Sequence, residues 1–205
     1  MAIIQKQTMV TDIKQLNPNK RYTYADYLTW RFDEMVELIR GKIVRMAPAP
    51  NMPHQWVSTE LHFQIVEYLR EKKCRAFAAP FDVRLKRQGR EDTVVQPDLA
   101  IICDLSKLDQ RGCKGAPDWI IEILSDSTSK KDLTDKFQIY QEVGVREYWV
   151  VHPTEGTVLP YRLDESGEYQ LLRKTPFVKG EKVPVGIFPG FEIDLSDVFV
   201  QGLDL

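Results

Sequence analysis

Residues 117–150, PDWIIEILSDSTSKKDLTDKFQIYQEVGVREYWV, restrict the fold more than any other stretch of the chain, because they read as strand, turn, helix, turn, strand. Trp119 to Leu124 is a short apolar, β-branched run bounded by Pro and by a Ser/Asp cluster, the pattern of a buried strand. One carboxylate, Glu122, interrupts it, and an ionised Glu in a buried strand is costly unless a cation compensates it. Upstream, Thr93 to Cys103 repeats the oddity: TVVQPDLAIIC is an apolar strand carrying Asp98. Two carboxylates on two core strands suggest a metal site.

The helix that follows offers the complementary charge. Ser129 and Asp132 resemble a capping box, Gly144 stands where a helix C′ glycine would, and Leu133, Phe137 and Tyr140 make an i, i+4, i+7 stripe. Lys136 falls on that stripe and is expected to face the strand on which the helix packs.

In chain order, residues 1–20 have weak periodicity and are expected to be a loosely held arm, with residues 21–205 forming a single domain. Thr23 caps an expected first helix, YADYLTWRFDEM, and ELIRGKIVRMA reads as a hairpin-like strand around Gly41 that the Pro-rich Ala47 to Pro53 must end. From His54 to about Arg70, Val57, Leu61 and Ile65 recur at helical spacing. CRAFAAPFDVRLKR and TVVQPDLAIICD then read as the two arms of an antiparallel hairpin across QGRED, with Asp98 on the second arm. A second hairpin is expected from Thr157 to Arg173 across DESG, followed by a Pro/Gly-punctuated tail of short segments. Strands and helices alternate, which points to an α/β fold, a mixed β-sheet flanked by helices.

Composition narrows the function classes. The formal net charge of −2 shows no global basic bias, which counts against a protein that coats nucleic acid nonspecifically but leaves room for a local basic groove. No apolar run approaches the ~20 residues of a membrane span, and MAIIQKQTMV lacks a basic region followed by an apolar stretch, so the expectation is a cytoplasmic protein with no membrane partner. Cys74, Cys103 and Cys113 are odd in number and share no CxxC spacing, so reduced or buried thiols are expected rather than a disulfide framework or a zinc site.

QPDLAII, IIEILSDST and DLTDKFQIYQEVGVREYWVVHP, in that order, resemble the motifs of the Uma2 family, also called DUF820, within the PD-(D/E)XK nuclease superfamily. ELIRGKIVRMAPAP followed by His54 is similar to the family's N-terminal signature, and the likeness covers about Tyr24 to Phe191. The resemblance implies a restriction-endonuclease-like fold and an endonuclease that hydrolyses DNA phosphodiester bonds with Mg²⁺, Mn²⁺ being a substitute. It implies that Asp98 of the PD element and Glu122 of the (D/E)xK element ligate the metal. The lysine of that element is absent, Leu124 standing in its position, and Lys136 in the helix DxxxK pattern matches its functional equivalent. Glu37 and His54 resemble family positions near the metal, although the family's glutamate after the glycine is replaced by Lys42. By analogy with restriction enzymes a homodimer is implied.

The residue types suit that chemistry independently. Mg²⁺ takes one or two carboxylates plus waters and substrate oxygens, and a lysine can orient or deprotonate water or stabilise developing charge. Gln96 and Asp82 are further outer-shell candidates, from their places two residues before Asp98 and in FDVRL. The alternatives are ion-paired core carboxylates without chemistry, and a non-catalytic nuclease-fold protein that binds nucleic acid or a protein partner. Trp119, Tyr148 and Trp149 suit core packing better than base stacking, and Arg84, Lys86, Arg87 and Arg90, like Lys130 and Lys131, sit where they could touch phosphate.

Overall fold

The computed structural model describes residues 9–46, 51–125 and 130–199, with the side chains of residues 130–132 excepted. The expected Ser129–Asp132 cap and the first residues of the Pro-rich loop therefore lie outside the described residues. The elements are α1 (Tyr24–Tyr27), β1 (Val36–Ile39), β2 (Lys42–Arg45), α2 (Met52–Leu69), β3 (Arg75–Ala78), β4 (Val83–Arg87), β5 (Arg90–Val95), β6 (Leu99–Ile102), β7 (Leu108–Asp109) and β8 (Gly112–Lys114). They continue with β9 (Trp119–Ile123), α3 (Lys130–Val143), β10 (Glu147–His152), β11 (Thr157–Leu163), β12 (Tyr169–Leu171), β13 (Phe177–Val178), β14 (Lys182–Pro184), β15 (Glu192–Asp194) and α4 (Leu195–Val198).

The larger sheet runs β12-β11-β10-β9-β6-β3, with β13 also paired to β11. β9 and β10 lie parallel with α3 as their crossover, as the 117–150 pattern predicts, and every residue of β9 is buried. The smaller sheet runs β2-β1-β5-β4-β8-β7. Arg40 and Gly41 both take positive φ in the β1–β2 turn, the left-handed backbone that a two-residue hairpin loop requires.

Strand alternation sends the larger sheet's side chains to two different cores. Trp119, Ile121, Ile123, Trp149 and Val151 face the cluster built by Val57, Leu61 and Ile65 of α2 and by the β14–β15 ribbon. Ile120, Tyr148 and Val150 face the other cluster, with Ile139 and Tyr140 of α3 and with Val83, Leu85 and Val95 of the smaller sheet. Glu122 shares the parity of Ile120, so the alternation alone directs its carboxylate toward α3.

Three expectations are corrected. The first helix stops at Tyr27: Thr23 is the expected N-cap and forms a capping box with Asp26, but Thr29 Oγ1 bonds back to Asp26 O and Trp30 bridges to Val10. The two arms of the expected 74–104 hairpin are each two strands, not one. β4 and β5 make the hairpin in the smaller sheet, whereas β3 and β6 pair in the larger one. The chain changes sheet at Pro80 and Pro97, which lack the N–H a continuing ladder needs, so Asp98 stands at a corner rather than within a strand. The cysteine reading also changes: Cys74 and Cys103 form a disulfide, while Cys113 is free and buried. Cys74 and Cys103 extend the Arg75↔Ile102 register of β3 and β6 by one pair.

The Val10 segment is held at both sides, since Val10 N donates to Thr29 O and Arg31 N donates to Val10 O. Among the described residues no helix is long and apolar enough to cross a membrane.

Candidate active site

Lys136 is where the elements meet. Its ammonium lies 2.9 Å from Glu37 Oε1 on β1 and 3.1 Å from Glu122 Oε1 on β9, with its side chain 13% exposed. Tyr140, one helical turn further along α3, donates through its hydroxyl to Glu122 Oε1 at 2.6 Å. α3 thus fixes one carboxylate from two successive turns, while β1 brings the second carboxylate from the smaller sheet.

Asp98 reaches the same place from its corner. Its Oδ2 accepts the Ile123 backbone N–H at 2.7 Å, one residue beyond Glu122, and its Oδ1 lies 3.2 Å from His54 Nε2. His54 arrives because Asn51 caps α2, its side chain accepting from the His54 N–H, so the first turn points the imidazole inward. His54 Nδ1 is buried, with no side-chain hydrogen-bond partner among the described residues.

Gln96 and Asp82 form an outer layer. The Gln96 N–H donates to Glu37 Oε1 at 2.8 Å, and its side-chain amide donates to Asp82 Oδ1 at 2.7 Å. The Tyr27 hydroxyl also donates to Asp82 Oδ1 at 3.3 Å. Glu37 stands closer to the centre than an outer-shell place, being a direct partner of Lys136. Gln96 and Asp98, expected on one strand face, are parted by the corner at Pro97 and serve different partners.

Tyr140 and Tyr27 are the polar members that sequence reasoning passed over as apolar-face residues. The available signal was Tyr140 at i+4 from Lys136 on a stripe already assigned to the interior. Lys42 is exposed on β2. Trp119, Tyr148 and Trp149 are fully buried core residues. In the basic turn, Arg84 pairs with Asp109 and Arg87 with Glu142. The Lys130 and Lys131 side chains lie outside the described residues.

Three carboxylates converge on one lysine and one histidine. Burial pushes the Glu122 carboxyl up; Lys136 draws it down, and the negative charges of Asp98 and Glu37 add to the rise. Burial works against charge on Lys136, but the attraction of Glu122 and Glu37 outweighs it and holds the ammonium well above its ordinary range. Burial likewise opposes charge on His54, and the hydrogen bond to Asp98 overcomes it, raising its pKa. Tyr140 is driven well above the usual phenol range by burial and by Glu122, so it stays a donor.

Among the described residues no three His, Cys, Asp or Glu side chains stand together as a ready ligand set for a metal ion. Mg²⁺ does not demand one, since it is commonly held by one or two carboxylates with water and phosphate oxygens completing the shell. Asp98 and Glu122 offer hard oxygens of that kind in an environment with more acid than base, and to that extent the donor set fits.

The Uma2 family, described as "Putative restriction endonuclease", matches residues 24–196 of the 205-residue chain. No curated protein matches. Among solved structures, a crystal structure titled a putative nuclease belonging to DUF820, from Anabaena variabilis ATCC 29413, superposes with a TM-score of 0.66 at 24% identity, covering 86% of this chain and 97% of that one. At that identity the likeness speaks to the fold, which this chain shares with that structure. The family match spans β1, the Asp98 corner, β9 and α3, and on it this chain belongs to the Uma2 family.

Proposed function

We propose that the protein is a Mg²⁺-dependent endodeoxyribonuclease, with Mn²⁺ as a substitute, that hydrolyses DNA phosphodiester bonds and acts as a homodimer. The observation that carries this reading is the contact of Lys136 with Glu122 and Glu37 in a largely buried cluster beside Asp98. In this reading Asp98 and Glu122 hold the ion. When bound it would polarise the phosphoryl oxygen and hold a water for attack.

The chain's own residues supply the rest. Lys136 stays protonated through neutral pH, so its role is to donate to the attacking water or to the charge that builds on the phosphoryl oxygens, rather than to abstract a proton. Glu37 positions that ammonium through one oxygen, which is itself anchored by the Gln96 N–H. Tyr140 orients Glu122, and His54 with the Ile123 N–H orients Asp98.

One observation favours a second reading, a nuclease-fold protein that binds nucleic acid or a protein partner without cutting. Glu122, Asp98 and Glu37 each already accept from donors of the protein. Calorimetry separates the two without needing the right DNA. Titrating Mg²⁺ and Mn²⁺ into wild type and Glu122→Gln should show binding that is lost in the variant, followed by cleavage of mixed-sequence DNA that Lys136→Ala suppresses with metal binding retained. Absence of metal binding, alone and with a phosphodiester oligonucleotide present, would favour the second reading.

A further inference from the structure

The turn between β1 and β2 is tied on both sides. Gly41 N donates to Asp92 O at 2.7 Å, and Tyr22 N donates to Gly41 O at 2.9 Å. A side chain at Gly41 would press on Tyr22 O at 3.1 Å and on Arg21, so the glycine lets three segments close up. That closure gathers Arg21, Arg40, Lys86, Arg87 and Arg90 around one open groove of about 740 Å³. Glu91 and Asp92 also line it, and Glu142 of α3 is shared between Arg40 and Arg87. The result is a basic recess in a chain whose net charge is −2.

The fold leaves this charge partly unanswered. Arg87 and Arg90 stand opposite each other on the β4–β5 ladder, where like charges repel. Lys86 and Arg90 are exposed, and no carboxylate among the described residues forms an ion pair with either. Arg40 Nε is buried with no hydrogen-bond partner among the described residues, and Arg21 donates to Arg40 O.

We infer that this groove binds the sugar–phosphate backbone of a nucleic-acid strand, away from the scissile bond. Guanidinium groups present paired N–H donors that match phosphate oxygens, and clustered cations gain affinity by releasing counterions from the strand. Its placement suits that occupant. Arg40 follows Glu37 by three residues at the end of β1, and Glu142 follows Lys136 by six on α3, about 9 Å of helix axis. Nucleotides advance about 3.4 Å each along a duplex strand, so the groove lies about three steps from Lys136 along that axis. Contacts of this kind position the backbone without reading its sequence. The choice of nucleic acid over another polyanion rests on the nuclease reading; the charge of the groove does not.

Fluorescence anisotropy of a labelled mixed-sequence duplex in EDTA tests the groove with no metal and no cutting. Lys86→Ala/Arg90→Ala removes two exposed charges that no ion pair holds, so circular dichroism should be unchanged. It should weaken DNA binding about tenfold or more at about 0.1 M salt and flatten the salt dependence of log K by about 2. Lys174→Ala/Lys179→Ala makes the same charge change on the exposed segment between β12 and β14 and should keep the wild-type slope. Equal losses in the two double variants, or none in Lys86→Ala/Arg90→Ala, would overturn the proposal. Displacement of DNA by inorganic phosphate beyond that by chloride at equal ionic strength would also overturn it, marking a site for a single phosphate instead of a strand. The Mg²⁺ titration judges the nuclease reading separately. Its failure would leave a salt slope that depends on Lys86 and Arg90, whereas failure of the groove would leave metal binding that depends on Glu122.

Discussion

Lys136 balances two buried negative charges, and its removal separates structural worth from chemistry. Stripping one partner from a buried charge network leaves the others uncompensated, a loss of about 3–5 kcal/mol. Lys136→Met keeps the stem and is expected to lose stability of that order in urea unfolding. Adding Glu37→Gln and Glu122→Gln should return most of it, because neutral amides remove the charges left stranded. A triple variant no more stable than Lys136→Met would show that Lys136 contributes through packing instead. At this scale much of the site was legible. A lone acid in an apolar run announced Glu122, and helical spacing announced Lys136. The direct role of Glu37 was not legible, because it depends on how a different sheet approaches α3. Tyr140 was missed because a tyrosine on an apolar stripe looks the same whether or not its hydroxyl has a carboxylate to meet.

Elements whose pairing is local were readable, and those whose pairing crosses the fold were not. The β1–β2, β4–β5 and β11–β12 hairpins follow from alternation and turn residues. The disulfide follows from the register of β3 against β6, which no spacing of cysteines encodes. The segment from β12 to β14 shows how a short irregular stretch is fixed instead by charge. Arg173 donates to both oxygens of Glu181 at 2.9 and 2.6 Å, and the Val178 N–H donates to the same carboxylate. The Arg173 hydrogen bond, seconded by that N–H, holds the Glu181 carboxyl down to about 2. Because its folded pKa is depressed, its contribution is present above the ordinary carboxylate range and is lost as pH falls from about 4.5 through about 2. The melting temperature of wild type should therefore exceed that of Glu181→Gln at about pH 6, and the gap should close toward about pH 2. A gap that does not change with pH would assign the difference to hydrogen bonding alone.

At the scale of the whole molecule, the two proline corners make one cooperative body out of two sheets. The chain passes from β3 to β4 and from β5 to β6, crossing between sheets each time, and the site sits where these crossings meet β9 and α3. Neither sheet can lose its strands without pulling on the other, and β6 carries both cores on its two faces. The expected consequence is a single unfolding transition, despite an outer cluster of Tyr22, Tyr24, Trp30, Leu38 and Val94 that packs the segment around α1 onto the smaller sheet. Leu38→Ala in that cluster and Leu61→Ala under α2 remove fully buried side chains, and each should cost about 2–5 kcal/mol. If the sheets are coupled, each variant shifts the whole transition, with circular dichroism and tryptophan fluorescence keeping one midpoint. A Leu38→Ala protein that loses the Trp30 signal at lower urea than its secondary structure would show instead that the smaller sheet opens alone. Glu37 would then leave Lys136 before the rest of the fold yields, and the site would be gated by the opening of β1.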